Sequence, residues 1–278
     1  MRRKQIGLYI HIPFCKQKCS YCDFCSYANK ESFIKRYIQC VLKEIIEVGN
    51  NNKIDFENGK DDLFLVKTIY IGGGTPSLID SKYIVQIIED IKLNFEIDEK
   101  AEITIEVNPG TVTLEKLEDY KRAGINRLSI GLQSTHEHLL KEIGRIHTYL
   151  DFLDTFRFAR EAGFENINVD LMIGIPNQTL EEVKDSIEEI VSMEPEHISV
   201  YSLILEEGTP LFKKVEEGLE LPDEELERKM YWNVKRILEA NGYNHYEISN
   251  FAKQGYESKH NLDCWNQKEY IGFGIAAH

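Results

Sequence analysis

Six times in succession, a short run rich in β-branched or aromatic residues is followed by a stretch with apolar residues at helical spacing. GLYIHI (7–12) precedes SFIKRYIQCVLKEIIEV (32–48), KTIYIGGG (67–74) precedes DSKYIVQIIEDIKLNF (80–95), and EITIEVNPG (102–110) precedes TLEKLEDYKRAG (113–124). RLSIGLQS (127–134) precedes a helical pair over 135–163, and NINVDLMIGIP (167–176) precedes LEEVKDSIEEIVSM (180–193). HISVYSLIL (197–205) completes the series, with a helix over 223–241 that opens on the first-turn signature PDEE. Alternation of this kind demands parallel strands joined by right-handed crossovers. Doubly wound and barrel sheets both satisfy it. The barrel gains weight because unusual residues gather where the strands end, which is the face on which barrels build their sites. The expected fold is therefore α/β, an incomplete parallel (β/α)6 barrel. Its core covers 1–222, and a helix with short strands follows over 223–278. The polar segment GNNNKIDFENGKDD (49–62) reads as a surface loop.

Composition narrows the function classes. With 42% hydrophobic and 29% charged residues, the 278-residue chain has ample core for one such domain. No run approaches the roughly 20 consecutive apolar residues of a membrane-spanning helix. The N-terminal MRRKQIGLYIHIPFC has no long apolar stretch of the kind a signal peptide carries. A net charge of −14 argues against broad nucleic-acid binding, which needs a basic face, while leaving room for a local basic pocket. The cysteines are clustered rather than spread as a disulfide framework, which points to a reducing compartment, the cytoplasm.

Four of the six cysteines lie within CKQKCSYCDFC (15–25). Cys15, Cys19 and Cys22 form C-x3-C-x2-C, a spacing that lets thiolates from one loop converge on zinc or an iron–sulfur cluster. Zinc ordinarily recruits a distant second arm, and only Cys40 and Cys264 remain outside the loop. Cys40 lies on the apolar side of a helical pattern and reads as a small core residue. Adding Cys25 gives a run close to a four-ligand ferredoxin, but with a different gap order and with Ser26 where that run has proline. Three ligands would leave one metal position open for chemistry.

Three cysteines followed on the next unit by Gly72-Gly73-Gly74-Thr75-Pro76 resemble the radical S-adenosylmethionine (SAM) superfamily. The resemblance implies a barrel of the radical SAM type and a [4Fe-4S] cluster held by Cys15, Cys19 and Cys22. Its fourth iron would chelate the amino and carboxylate groups of SAM. The ordered motifs YIHIPFCKQKCSYCDF, GGGTPSLI, IEVNPGT, GINRLSIGLQS, IGIPNQT and YEISNFA are, more narrowly, similar to the oxygen-independent coproporphyrinogen III oxidase family. That family has a dehydrogenase branch, which decarboxylates coproporphyrinogen III, and a heme chaperone branch. The dehydrogenases carry a further cysteine where this chain has Phe24, and Gln-Asp where it has Gln133-Ser134, so the chaperone branch is expected here. Cys25 is then a bystander.

Carried over by position, the resemblance makes Tyr9, Tyr21, Gly73, Gly74, Thr75 and Glu106 contacts of SAM. Gln133, Arg145 and Asp170 match positions that hold a second SAM in the dehydrogenases, or face heme propionates in a chaperone. The competing reading for Glu106 and Asp170 is a barrel-rim cap or a salt-bridge partner of a helix, and for Arg145 a surface cation. HNLDCW (260–265) is similar to the chaperones' His-Asn motif, so His260 is the candidate heme ligand and Cys264 the alternative specific to this sequence. A structural role competes for His260, as it does for His11 of the HIP motif. The partners implied are heme or a porphyrinogen, heme-acceptor proteins including respiratory ones, and transient contact with membrane proteins. Related proteins continue past GFGIAAH into a C-terminal domain, so the expectation is that this sequence is truncated there.

Overall fold

The computed structural model describes residues 3–59 and 62–277. Residues 60 and 61 of the expected loop, and the terminal residues, lie outside the described region. The chain begins with β1 (Arg3–Ile12), then the two-residue strands β2 (Phe14–Cys15) and β3 (Tyr27–Ala28), which pair with each other across the cysteine loop. There follow α1 (Ile34–Glu57), β4 (Leu63–Gly73), α2 (Ser81–Asn94), β5 (Glu96–Val107), α3 (Leu114–Ala123) and β6 (Arg127–Gln133). Next come α4 (Glu137–Glu142), α5 (Tyr149–Glu161), β7 (Ile167–Ile173), α6 (Leu180–Ser192) and β8 (His197–Ser202). The last third holds α7 (Pro210–Glu216), α8 (Glu224–Ala240), β9 (Asn244–His245), β10 (Asn250–Ala252), α9 (Lys259–Trp265) and β11 (Tyr270–Phe273).

β1, β4, β5, β6, β7 and β8 lie side by side in chain order and run parallel, as the six-unit alternation requires. The sheet is not closed among the described residues: its nine strands run β11-β1-β4-β5-β6-β7-β8-β10-β9. The segment after residue 223 supplies strands to both ends, β10 antiparallel on β8 and β11 parallel on β1. α7 falls in a stretch that the sequence pattern leaves unassigned, and α9 corrects the expectation of only short strands and loops over 243–278.

Each long strand alternates, and the alternation separates two environments. Leu8, Ile10, Ile69, Ile71, Ile103, Ile105, Leu128 and Ile130 are buried against the helical layer. The helices answer with stripes such as Ile84, Ile87, Ile88 and Ile91 of α2, spaced to fall on one face. The other strand face is polar: Thr68 and Tyr70, Glu102 and Glu106, Arg127 and Ser129, Asn168 and Asp170, His197 and Ser199. Capping boxes at Thr148 and Thr179 start α5 and α6 cleanly.

Two further expectations need correction. The polar segment 49–57 is not a loop but the last turns of α1. Side-chain hydrogen bonds hold it where apolar periodicity fails: Asn52 accepts from the Phe64 N–H at 3.0 Å and donates to the Asp62 carbonyl at 3.1 Å. Gly49 also packs so tightly on Asn94 that a Cβ would lie 2.7 Å from it. Cys40 is not a core residue either. The buried stripe of α1 is Ile38, Val41, Leu42 and Ile45, and Cys40 faces outward beside it.

Candidate functional site

The cysteine loop leaves the C-terminal end of β1 and is fastened on both sides. Toward β4, the glycine turn docks beneath it: Gly74 N–H donates to the Ile12 carbonyl and Thr75 N–H to the Phe14 carbonyl, both at 2.8 Å. The approach leaves no room for a side chain, since a Cβ on Gly74 would sit 2.9 Å from Cys15 Sγ and 3.0 Å from the Phe14 oxygen. The Thr75 hydroxyl donates to Cys15 Sγ at 3.5 Å, and Asn108 Nδ2 donates to the Thr75 oxygen at 3.3 Å. Toward β6, the Ser20 N–H donates to the Ile143 carbonyl at 3.0 Å, and Leu211 N–H donates to the Ser20 carbonyl at 2.8 Å.

β1 contributes Tyr9 and His11 below the loop. His11 Nε2 lies 2.8 Å from the Cys25 carbonyl and Nδ1 lies 3.0 Å from the Tyr9 hydroxyl. A carbonyl only accepts, so Nε2 carries the proton and Nδ1 accepts from Tyr9. His11 is buried, and its ring fills the space over Gly73, which takes φ +117° and could not accommodate a Cβ. The structural role weighed for His11 is thus a specific one: it ties the far end of the cysteine loop to the glycine turn.

Glu106 ends β5 beside that turn. Its two oxygens accept separately, one from the Tyr70 hydroxyl and one from the Gly73 N–H, each at 3.0 Å. Burial pushes its carboxyl up to about 7, the two hydrogen bonds opposing that rise and nearby Asp170 adding to it. Asp170 on β7 is raised in the same direction by burial, and it accepts from Asn168 at 2.6 Å and from Ser129 at 3.4 Å. Neither carboxylate is a helix cap or a surface ion-pair partner.

Arg145 is no surface cation: it is enclosed next to Tyr21, Cys19 and Tyr201. Burial pushes the Tyr21 phenol up to about 12, with Arg145 working against the rise. A Cβ on Gly131 would touch Gln133 Nε2 at 3.1 Å, Arg145 Nη2 at 3.2 Å and Asn108 Oδ1 at 3.5 Å, so these three side chains converge over one glycine. Gln133 adopts φ +75°, uncommon for a residue with a side chain. Its Oε1 and the Arg145 Nε are buried with no partner in the described protein. Unsatisfied polar atoms of this kind are what a polar ligand would satisfy.

Apart from His260 and Cys264, the sequence-derived candidates therefore meet around one rim. Asn108, Gly131, Tyr70 and Tyr201 belong there too and were missed; Tyr70 and Tyr201 share the inward register of Glu106 and Asp170 and could have been found from strand alternation alone. His260 sits apart, deeper in the polar interior. It is buried, its Nδ1 is 2.8 Å from the Thr68 hydroxyl, and its ring stacks on Tyr70 with centroids 5.2 Å apart. Burial lowers it to about 4, so it is neutral at physiological pH. Glu102 accepts the N–H groups of Lys259 and His260 at 3.0 and 3.1 Å, anchoring the first turn of α9 inside the sheet. Cys264 and Trp265 face outward from the same helix.

The cysteine loop fits a polynuclear cluster. Burial raises the Cys19 thiol, Arg145 opposes that, and Cys22 and Cys15 lie close enough to raise it further. Among the described residues, no three His, Cys, Asp or Glu side chains are grouped around one metal position; three thiolates on one loop are the donor set that iron–sulfur clusters use. Cys25 Sγ lies 3.6 Å from the Tyr27 hydroxyl.

Known proteins resemble this chain in sequence and fold. The profile of the radical SAM superfamily matches residues 9–190. The heme chaperone HemW of Bacillus subtilis (strain 168) is 43% identical over 272 residues, covering 97% of this chain and 69% of that protein. The chain belongs to the HemW family of radical SAM proteins. HemW of Escherichia coli (strain K12) is 39% identical, with 98% of this chain and 69% of its own length covered. The solved structure of coproporphyrinogen III oxidase (HemN) from Escherichia coli, a radical SAM enzyme, superposes with a TM-score of 0.82 over 99% of this chain and 64% of that one. At 22% identity HemN shares the fold with this HemW family member. Membership of the superfamily implies a [4Fe-4S] cluster and SAM as the groups the rim accommodates.

Proposed function

We propose that this protein is a heme chaperone, which binds heme and hands it to acceptor proteins, and that its radical SAM site holds a SAM-chelated [4Fe-4S] cluster. The observation that carries the reading is identity over nearly the whole chain to proteins named heme chaperones, 43% and 39%, against 22% to the oxidase of the same fold. In this reading Cys15, Cys19 and Cys22 ligate three irons and leave the fourth to SAM. Gly73, Gly74, Thr75 and Glu106 receive the methionine end of SAM, with Tyr9 behind them and Tyr21 beside the adenine. When bound, the cluster and SAM supply one-electron reductive chemistry at the rim. The chain's own contribution is to exclude water there and to fix the donors, Glu106 above all.

Gln133, Arg145 and Asp170 line the further side, where Arg145 suits a carboxylate such as a heme propionate through paired hydrogen bonds. His260 is the proposed axial ligand. Donation from its Nδ1 to Thr68 would leave the Nε2 lone pair for iron, the usual way a second partner orients a ligating histidine. Cys264 is the alternative, with exposed Trp265 offering an apolar platform. We place the protein in the cytoplasm, with respiratory heme proteins among its acceptors and transient contact with membrane proteins during transfer. No helix among the described residues is long and apolar enough to cross a membrane.

The test is product analysis. The protein, reconstituted anaerobically, is given coproporphyrinogen III, SAM and a reductant, and separately titrated with heme. Heme binding and transfer to an apo-acceptor, without decarboxylated product, is the expected result. Protoporphyrinogen over many turnovers would replace the chaperone reading with that of a dehydrogenase.

A further inference from the structure

Residues 15–43 carry six basic side chains and two acidic ones, in a chain whose net charge is −14. Lys16, Lys18, Lys30, Lys35, Arg36 and Lys43 are all exposed. None of them is in an ion pair among the described residues, although many cations elsewhere are matched, as in Lys67–Asp98, Arg160–Glu196 and Lys214–Glu142. Exposed rings stand among these cations: Phe24 is 70% accessible, Phe33 53% and Tyr27 45%.

Of these side chains, Tyr27, Lys30, Phe33 and Arg36 line a groove of about 410 Å³. Phe33 at the N-cap of α1 and Arg36, Tyr37 and Cys40 within it line the groove, spaced i, i+3, i+4 and i+7, so one helical face is turned toward it. Phe14 forms part of the opposite wall, one residue before Cys15. Lys30 and Arg36 stand among the residues lining it, and Lys30 lies 5.9 Å over the Phe33 ring. A small apolar centre inside a rim of unpaired charge of one sign is the anatomy of a transient protein interface.

We propose that this face docks an acidic one-electron carrier protein, with an apolar side chain of the carrier seated in the groove. The inference rests on radical SAM membership and not on the heme reading. A cluster held by Cys15, Cys19 and Cys22 must be reduced from outside. One electron passes from the reduced carrier to the oxidised cluster; the carrier leaves oxidised by one electron, and no bond is made or broken. Charge complementarity selects the occupant: residues 15–43 carry a net positive charge in a chain whose overall charge is −14, so an acidic carrier is steered to this face.

The test uses an acidic plant-type [2Fe-2S] ferredoxin as probe, with the cluster-loaded protein under anaerobic conditions. Binding is followed by calorimetry at low and raised ionic strength, and cluster reduction by stopped-flow absorbance. The triple variant Lys30→Glu, Lys35→Glu, Arg36→Glu is expected to weaken binding at low salt by roughly tenfold or more, with a flatter salt dependence. Reduction by ferredoxin slows in parallel, while reduction by dithionite and iron content stay as in the parent. Phe33→Ala should weaken binding without changing the salt slope. Equal ferredoxin affinity for parent and variants would overturn the proposal. So would variants that lose heme while keeping ferredoxin, which would give the groove to the porphyrin.

Discussion

Replacing Glu106 by Gln separates electrostatics from shape at the rim. The amide keeps an acceptor for the Gly73 N–H, and its NH2 can donate to the Tyr70 oxygen in place of accepting from it. What disappears is the ionisation. In the folded chain the Glu106 carboxyl titrates near 7 because burial disfavours its charge, against an ordinary value of 4.5. The folded state therefore binds more protons than the unfolded state between those two values. Stability is greatest below about 4.5, falls as pH rises toward 7, and levels off above it. A displacement of this size corresponds to at most about 3 kcal/mol across the window. The assay is urea unfolding of the ligand-free chain under anaerobic conditions from pH 5 to pH 8, parent and Glu106→Gln in parallel. The parent should lose roughly 2–3 kcal/mol relative to the variant over that range. Adding SAM should reverse the advantage, because an amine donor beside Glu106 favours its ionised form. Parallel curves for the two proteins, with and without SAM, would refute the claim that Glu106 resists ionisation in the empty rim.

Further outcomes follow from single contacts. Gly74→Ala should leave the chain folded but sharply lower its iron content after reconstitution, because the added Cβ would lie 2.9 Å from Cys15 Sγ and 3.0 Å from the Phe14 oxygen. Cys25→Ser should retain the parent's iron and sulfide, since its Sγ faces the Tyr27 hydroxyl; loss of the cluster would show that four cysteines bind it. Thr179→Ala removes both hydroxyl bonds of the α6 capping box and should cost about 1 kcal/mol in chemical unfolding, with cluster content unchanged.

The strand order of this fold was legible because strand and helix periods differ, and because each inward residue of a strand is followed two positions later by another. Glu106 and Asp170 could be placed on one face of the sheet from that rule, and Glu106 at the rim from its position near the end of β5. The cysteine loop and glycine turn were legible because few other chemistries need those residues in that order. What stayed hidden was held by individual side chains rather than by periodicity. Asn52 extends α1 through a polar tract, Glu102 anchors α9, and β11 finds β1 from the opposite end of the chain. Cys40 was misplaced because the apolar pairs of α1 suggest a broad stripe, whereas the helix buries only the side bearing Ile38 and Val41. His260 shows the same limit: its motif located it in sequence, but only the packing against Thr68 and Tyr70 shows how deep it lies.

The pairing of Tyr270–Phe273 with Gly7–Ile10 has a consequence for biogenesis. β1 waits on the ribosome for a strand more than 250 residues downstream, Tyr270–Phe273, before its outer edge is covered. Until then an apolar strand carrying Leu8 and Ile10 offers unpaired backbone groups to any other nascent chain. The cysteine loop grows directly from that strand. Assembly of the metal site on a newborn chain is thereby tied to synthesis through residue 273, and deleting Tyr270–Phe273 should trap an aggregation-prone, iron-poor species.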